Sequence, residues 1–354
     1  MITTKERHVQ QPSSDEVANG ESASPAGTGE GSTMTAVVHE RYGRPDVLHL
    51  RDVEKPKINE NQVLVRVHAA SVNPVEWYGV TGPIFGRIGN GLRRPKVTSV
   101  GADLAGRVES VGADVEGFRP GDEVFGIGVG AWAEYAVARG ARLALKPASL
   151  SFEEAAAVPV AAITALQALR DHGQVQPGHK VLINGASGGV GTFAVQIAKV
   201  FGADVTAVCS TRNVELVRSL GADRVVDYTQ EDFTKRSERH DLMLDIAGSR
   251  PFRQFKRVLT PEATVVLVGG PMTYRGLGPL PHLGGTFLSS KARRRTVKFF
   301  VAKVTTEDLT ALGELLDAGK VKPVIDRRYE LSQAADALAY LGEGHARGKV
   351  VITV

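Results

Sequence analysis

The stretch VLINGASGGVGTFAVQIAKVFGADVTAVCSTRN, beginning at Val181, limits what the 354-residue chain can fold into more than any other segment. An apolar run ends at Gly185, glycines recur at 188, 189 and 191, a helical pattern follows, and a second apolar run ends at Cys209. Strand, glycine turn, helix and strand in that order make a βαβ unit. The same alternation continues, with strands predicted at 181–184, 204–209, 224–228, 241–248 and 263–270 and helices at 189–201, 213–220 and 251–259. Strands that are apolar on both faces and joined through helices belong in a parallel sheet covered on both sides.

Around this unit the pattern changes. From residue 35 to about 156 the chain reads as short β-type runs punctuated by turns, TAVVHE, QVLVRVHAASV, LAGRVESVG, EVFGIG and AEYAVAR, and predicts a compact mostly-β domain. Residues 152–169 switch to helical spacing and lead into the second domain. After residue 300 two helices are expected, at 307–318 and at 333–341, the latter capped by Ser332 and stopped by Gly342. PVIDRRYEL and GKVVITV around them are strand-like, so the C-terminal tail is expected to close the first domain. The domains are then 34–156 with 300–354, and 157–299. Residues 1–33 are rich in Ser, Gly, Glu and Thr and poor in large aliphatics, and are expected to stay disordered, with folding starting near Met34.

The glycine turn has a chemical reading. In GASGGVG a side chain at Gly188 would hold a diphosphate away from the backbone, and Gly191 lets the helix pack close to the sheet. The helix N-terminus offers N–H groups and positive potential to phosphates, so Ala186, Ser187, Gly188, Gly189, Val190 and Gly191 are candidate dinucleotide contacts. Ala186 stands where the first glycine of such a turn usually stands, a mild departure if that residue is not left-handed. A site for NAD normally ends its second strand in a carboxylate, which would repel a 2′-phosphate. This chain has Ser210, Thr211 and Arg212 there, two hydroxyl donors and a guanidinium fork, which favours NADP(H). The bland alternative is that these residues only cap the helix starting near Asn213.

The glycine turn, CSTRNVELVRSLGADRVVDY, SVNPVEW and GADLAGRVESVGADVEGFRPGDEVFG together resemble the medium-chain dehydrogenase/reductase superfamily, and more narrowly its zinc-free quinone oxidoreductase branch. The resemblance spans roughly 34–354 and implies a GroES-like mostly-β catalytic domain, a Rossmann domain, a cofactor in the cleft between them and frequently a homodimer. Positions that carry zinc ligands in the alcohol dehydrogenases fall on Asn73, Ala102, Asp103 and near Ala161, and the chain has a single cysteine, Cys209. No metal site is expected from such a donor set.

By the same resemblance, Asn73, Glu76 and Tyr78 match the catalytic-domain motif, with Glu where Asp is commoner. Asn73 would orient the nicotinamide ribose or the acceptor oxygen, and Tyr78 would donate its phenolic hydrogen to the reduced substrate. Trp77 and Tyr78 would serve equally as core and pocket lining. Tyr228 would flank the adenine side, Val268, Gly269 and Gly270 would form the turn near the nicotinamide, and Lys349 would lie on the diphosphate.

Without a metal to acidify an alcohol, hydride delivery to an electron-poor quinone or enone is the easier direction. The expected substrate is a small apolar carbonyl or quinone, with 76–95 and 271–300 forming its pocket. An enoyl reductase or an aldehyde/alcohol oxidoreductase of the same branch, and a non-catalytic NADPH-binding protein, remain as alternatives. The net charge of +4 and the single KARRR knot at 291–295 give no nucleic-acid footprint. The absence of a secretory signal or an apolar run of spanning length, with one cysteine inside an apolar strand, makes the cytoplasm the expected compartment and a membrane partner unexpected.

Overall fold

A computed structural model of the chain describes residues 33–83, 87, 90–248, 250–270 and 296–354. The N-terminal extension up to residue 32 and the segment 271–295, with its KARRR knot and most of one expected pocket wall, lie outside the described residues.

β1 (Thr33–Val38) pairs antiparallel with β2 (His49–Glu54), a strand with no clear sequence signal because most of its side chains are exposed. β3 (Gln62–Val72) is the hub of a mixed sheet. It begins with Arg66 exposed between buried valines and is buried on both faces from Ala69 onward. α1 (Pro74–Thr81) follows immediately, with Pro74 where a missing N–H costs no helical bond, and ends at left-handed Gly82, whose φ is 59°. β4 (Asp103–Val111), β5 (Glu123–Ile127), β6 (Tyr135–Arg139) and β7 (Leu143–Leu145) complete the early part of the sheet.

α2 (Phe152–Ala156) starts in a capping box: Ser151 Oγ accepts from Glu154 N at 3.2 Å, and the Glu154 carboxylate accepts from Ser151 N at 2.9 Å. α3 (Pro159–Gln167) then runs into a single π-helical stretch, Ala168–His172. Beyond it come β8 (Lys180–Asn184), α4 (Gly189–Val200), β9 (Asp204–Cys209), α5 (Val214–Ser219), β10 (Arg224–Asp227), β11 (His240–Asp245), α6 (Phe252–Phe255), β12 (Leu259–Leu267) and β13 (Thr296–Phe299). Their sheet is parallel throughout, in the order β10-β9-β8-β11-β12-β13, so the direction of winding reverses between β8 and β11. Ligands of such sheets bind outside the carboxyl ends of the strands at that reversal.

The chain then returns through α7 (Thr306–Asp317), β14 (Ile325–Glu330), α8 (Ala334–Gly342) and β15 (Lys349–Thr353). β14 and β15 join the mixed sheet, whose order is β14-β15-β3-β4-β5-β7 with β6 also paired to β3. Leu309, Leu312 and Leu316 of α7 are buried in the core that also holds Ile163, Ile183 and Phe193. Two buried glutamines fix this returning chain by matching a backbone amide at both its groups. Gln167 donates to Lys303 O at 2.8 Å and accepts from Lys303 N at 3.1 Å, and Gln196 does the same for Lys322 at 3.0 and 2.9 Å.

Two local expectations are corrected. The helix expected at 251–259 is only α6 followed by a tight 3-10 turn, because Leu259 takes a ladder position opposite His240. Ser332 is not a cap: Gln333 Oε1 accepts from Glu330 N at 3.0 Å, a 3-10 turn forms over Leu331–Gln333, and α8 starts one residue later. Gly342 lies in the last turn of α8, where its role is close approach, since a Cβ there would lie 2.0 Å from the Trp77 ring.

Gly191 is equally constrained. A Cβ on it would lie 2.1 Å from the Gly185 carbonyl oxygen and 2.7 Å from the Ala186 carbonyl carbon, both backbone atoms that a rotamer change cannot move. Gly191→Ala is expected to lower unfolding stability by about 1–3 kcal/mol in denaturant titration, the usual cost of overpacking. Unchanged stability would mean that α4 does not press on the end of β8 as described.

Candidate active site

The register of the mixed sheet assembles one polar cluster out of three distant pieces of chain. Ala70 pairs with Leu104 and Val72 pairs with Val350, so the next antiparallel positions set Ser71 across from Asp103 and Asn73 across from Lys349. Ser71 Oγ donates to Asp103 Oδ2 at 2.7 Å, and Asn73 Nδ2 donates to the same oxygen at 2.9 Å. Asp103 Oδ1 accepts from Val160 N at 3.0 Å, which engages α3 as well. The Lys349 ammonium donates to Asn73 Oδ1, to Val72 O at 3.4 Å and to Asp103 Oδ2 at 3.4 Å. Asp103 is wholly buried and Lys349 only 3% exposed. Desolvating both charges is costly, and the pair holds because its hydrogen-bonding capacity is used.

Glu76, one helical turn away, completes the cluster. Its carboxyl accepts from Asn73 N at 2.8 Å and from Ala102 N at 3.0 Å. Burial, reinforced by the nearby Asp103 carboxylate, pushes its pKa up to about 8, and the N–H bonds and Lys349 only partly offset this. Tyr78, further along α1, is half-buried against the mixed-sheet core, and burial raises its phenol above the ordinary value.

At the glycine turn, Gly185 is the left-handed residue, with φ of 93°, and Ala186 is buried with its N–H on Val208 O at 3.1 Å. The methyl group of Ala186 therefore occupies a position that any residue of its size can adopt. A Cβ on Gly188 would meet only Gly185 O at 3.7 Å, so the space before it is open. Ser187 Oγ and Ser210 Oγ both accept from Asn213 Nδ2, at 2.9 and 3.2 Å, tying the turn to the end of β9. Among the described residues the buried Asn213 Oδ1 has no hydrogen-bond partner. Open space at Gly188, at the start of a helix and beside an orphaned buried acceptor, is compatible with a ribose and diphosphate.

Other expected contacts are placed differently. Thr211 spends its hydroxyl on Asp227 Oδ2 at 2.5 Å, and Arg212 donates to His345 O at 2.7 Å, so the guanidinium bridges to the loop before β15. Tyr228 is 51% exposed directly after β10. Val268 N and Gly269 N point at Asp245 O, at 3.0 and 3.4 Å, and a Cβ on Gly269 would lie 2.5 Å from Ile246 O. Gly270 follows as the last described residue of that turn. Lys349, expected on the diphosphate, has its ammonium in the Asn73 cluster, while its stem lies 3.1 Å from where a Gly189 Cβ would be. The turn and the cluster therefore meet at one side chain. Sequence alone does not bring Asp103, Asn213 and Asp227 into the site. Only the resemblance marked Asp103, and nothing local marks the other two.

Among the described residues no group of three His, Cys, Asp or Glu side chains is arranged to hold a metal ion, and no helix is long and apolar enough to cross a membrane. Cys209 is buried at the end of β9, and burial, with Asp227 nearby, pushes its thiol up to about 11, which makes it a poor nucleophile.

An oxidoreductase that joins a mixed sheet to a parallel sheet, with a dinucleotide turn at the reversal of the parallel sheet, is the class that this fold and site define. Residues 59–148 match the alcohol dehydrogenase GroES-like domain and residues 220–352 the zinc-binding dehydrogenase domain. The 2-methylene-furan-3-one reductase of Solanum lycopersicum is 37% identical over 336 residues, covering 91% of this chain and 79% of that protein. The NADPH-dependent alkenal/one oxidoreductase of Arabidopsis thaliana chloroplasts is 34% identical over 90% of this chain and 79% of its own length. Among solved structures, the quinone oxidoreductase of Coxiella burnetii superposes with a TM-score of 0.80 at 32% identity, covering 91% of this chain and 99% of the other. The chain belongs to the medium-chain dehydrogenase/reductase superfamily, in its quinone-oxidoreductase-like branch.

The Glu76 geometry gives a pH test. Its folded pKa of about 8 lies above the ordinary carboxyl value of 4.5, so the folded state holds a proton that the unfolded state releases in between. The stabilisation is complete below about pH 4.5 and is lost as pH rises towards 8. Relative to Glu76→Gln, the native protein should lose stability across this window with a slope of at most about 1.4 kcal/mol per pH unit. Parallel stability curves for the two proteins would refute a raised Glu76.

Proposed function

We propose that this chain is an NADPH-dependent reductase acting on a quinone or an α,β-unsaturated carbonyl compound. The observation that carries the reading is the contiguity of the open glycine turn with the buried Asn73 cluster through the Lys349 stem. Bound NADPH would supply hydride for an electron-poor acceptor. The relatives, a 2-methylene-furan-3-one reductase, an NADPH-dependent alkenal/one oxidoreductase and a quinone oxidoreductase, support the same class of acceptor.

The residues divide the work. The backbone from Ala186 to Gly191 holds the diphosphate at the start of α4, where helix N–H groups lack intrahelical acceptors. Ser187, Ser210 and Asn213 take the adenosine ribose and its 2′-phosphate with Arg212, and Thr211 and Tyr228 border that site. Val268, Gly269 and Gly270 flank the nicotinamide end. Asn73 orients the acceptor or the nicotinamide ribose, and Tyr78 donates a hydrogen bond to the oxygen that gains charge during reduction. The acceptor class is apolar, in keeping with the small and apolar residues of the expected pocket segments. A homodimer built on the edge strand β13, where Phe299 is 54% exposed, and a reducing compartment for the single buried cysteine, complete the reading.

Three measurements test it. NADPH should bind at least tenfold more tightly than NADH, and Arg212→Ala should shrink that preference by about tenfold, the effect of one charge-assisted contact. Equal affinities for the two cofactors, untouched by the substitution, would sink the cofactor assignment. Tyr78→Phe should lower kcat by about tenfold to a thousandfold with NADPH affinity nearly unchanged, because a donor to developing charge acts only in the transition state. An unchanged kcat would reduce Tyr78 to pocket lining.

A further inference from the structure

We infer that Lys349 is a positioning residue whose buried ammonium, countered by Asp103, locks the side-chain amide of Asn73 in a single orientation for the acceptor site. This rests on the reading of Asn73 as an orienting group, and it goes beyond that reading in assigning how the orientation is set.

An asparagine amide presents an acceptor at one end and donors at the other, and either end can be turned towards a substrate. In this structure both ends are already committed. Asn73 Oδ1 accepts from Lys349, and Nδ2 donates to Asp103 Oδ2 at 2.9 Å. A flip would set the amide NH2 against an ammonium and the amide oxygen against a carboxylate, so two charges of opposite sign forbid it. Lys349 has no further donor to offer: its contacts to Asn73 Oδ1, Val72 O and Asp103 Oδ2 match the number of hydrogens on an ammonium. A role as a direct phosphate ligand would require breaking that set. Asp103 is itself held by Ser71 Oγ and Val160 N, so the lock is anchored in β3, β4 and α3 together. The second Nδ2–H of Asn73 is the amide donor left to meet a substrate oxygen.

The stem adds a second consequence. It lies against the first turn of α4, 3.1 Å from where a Gly189 Cβ would stand. Anything seated on the glycine turn therefore presses on the same side chain that fixes Asn73.

The test uses the full chain. Lys349→Met keeps the stem and removes the charge, and Lys349→Arg keeps a charge. With asparagine 15N-labelled, the side-chain NH2 signals of Asn73, assigned by their loss in Asn73→Ala, should move or broaden in Lys349→Met and stay near their native positions in Lys349→Arg. The NADPH dissociation constant, read from nucleotide fluorescence without turnover, should change less than about threefold in Lys349→Met, while kcat at saturating NADPH falls about tenfold to a hundredfold. Asn73 signals that ignore the loss of the ammonium would overturn the inference. A tenfold rise in the dissociation constant with kcat preserved would overturn it too, by making Lys349 a cofactor anchor. If the native protein binds no NADPH, the proposed function fails and the amide signals still decide the present point. Should Lys349→Met not fold, Asp103→Asn gives the same readout from the other end, and unmoved Asn73 signals there would refute the lock.

Discussion

The antiparallel pairing of β15 with β3 is the interaction on which the site depends. Val350 opposite Val72 fixes the register, and a slip of one residue would turn Lys349 to the other face of the sheet. The last strand of the chain therefore supplies a charge to a cluster whose other members come from its first third. Because Asp103 is fully buried, removing the lysine leaves a carboxylate with only neutral partners in a dry interior, a change that generally costs more than the intact pair contributes. Such a pair adds little net stability, and what it fixes is geometry: one amide orientation, and one distance between the mixed sheet and the glycine turn.

The parallel sheet depends on a different kind of constraint, the close approach of backbone to backbone. Gly185 turns the chain with a positive φ and Gly191 lets α4 sit on that turn. The glutamine clamps on Lys303 and Lys322 then hold the returning chain against α3 and α4. They matter because backbone outside regular structure must find partners when it is buried. An alanine in place of either glutamine would strand an N–H and a C=O at once.

The parallel sheet was readable from sequence because its signals are local. Glycines of fixed spacing and strands apolar on both faces need no knowledge of the rest of the chain, and β8, α4 and β9 fall within a residue of their expected limits. The joining of GKVVITV to the mixed sheet was also readable, because its strand-like pattern matches that of the first domain. What could not be read is pairing at long range. Lys349 matched a motif position, but its partners lie 246 and 276 residues away, and only the strand register selects them over a phosphate. Asn213 was seen only as a helix start, because its contacts with Ser187 and Ser210 arise from the way β9 ends beside the turn. The short helix at 252–255 failed for the opposite reason: an apolar stretch that fits helical spacing was taken by the ladder to β11.

Asp227 bears on how cofactor choice is built. An acidic residue in the ribose region disfavours a 2′-phosphate, and β10 brings this one beside the end of β9, where Asp227 pairs with Cys209. Its carboxylate is not idle. It accepts from Thr211 Oγ1 and from Thr229 N and Oγ1, and those bonds hold it below the ordinary carboxylate range. Thr211 is thereby withdrawn as a phosphate donor, and the negative charge is turned towards the two threonines. In the proposed cofactor site, discrimination between a 2′-hydroxyl and a 2′-phosphate would then fall on Ser210 and on the donors of Arg212 not spent on His345 O. On the proposed reading, selectivity would be a balance between one guanidinium and one nearby carboxylate, and a single threonine substitution would release part of the hydroxyl bonding that holds that carboxylate.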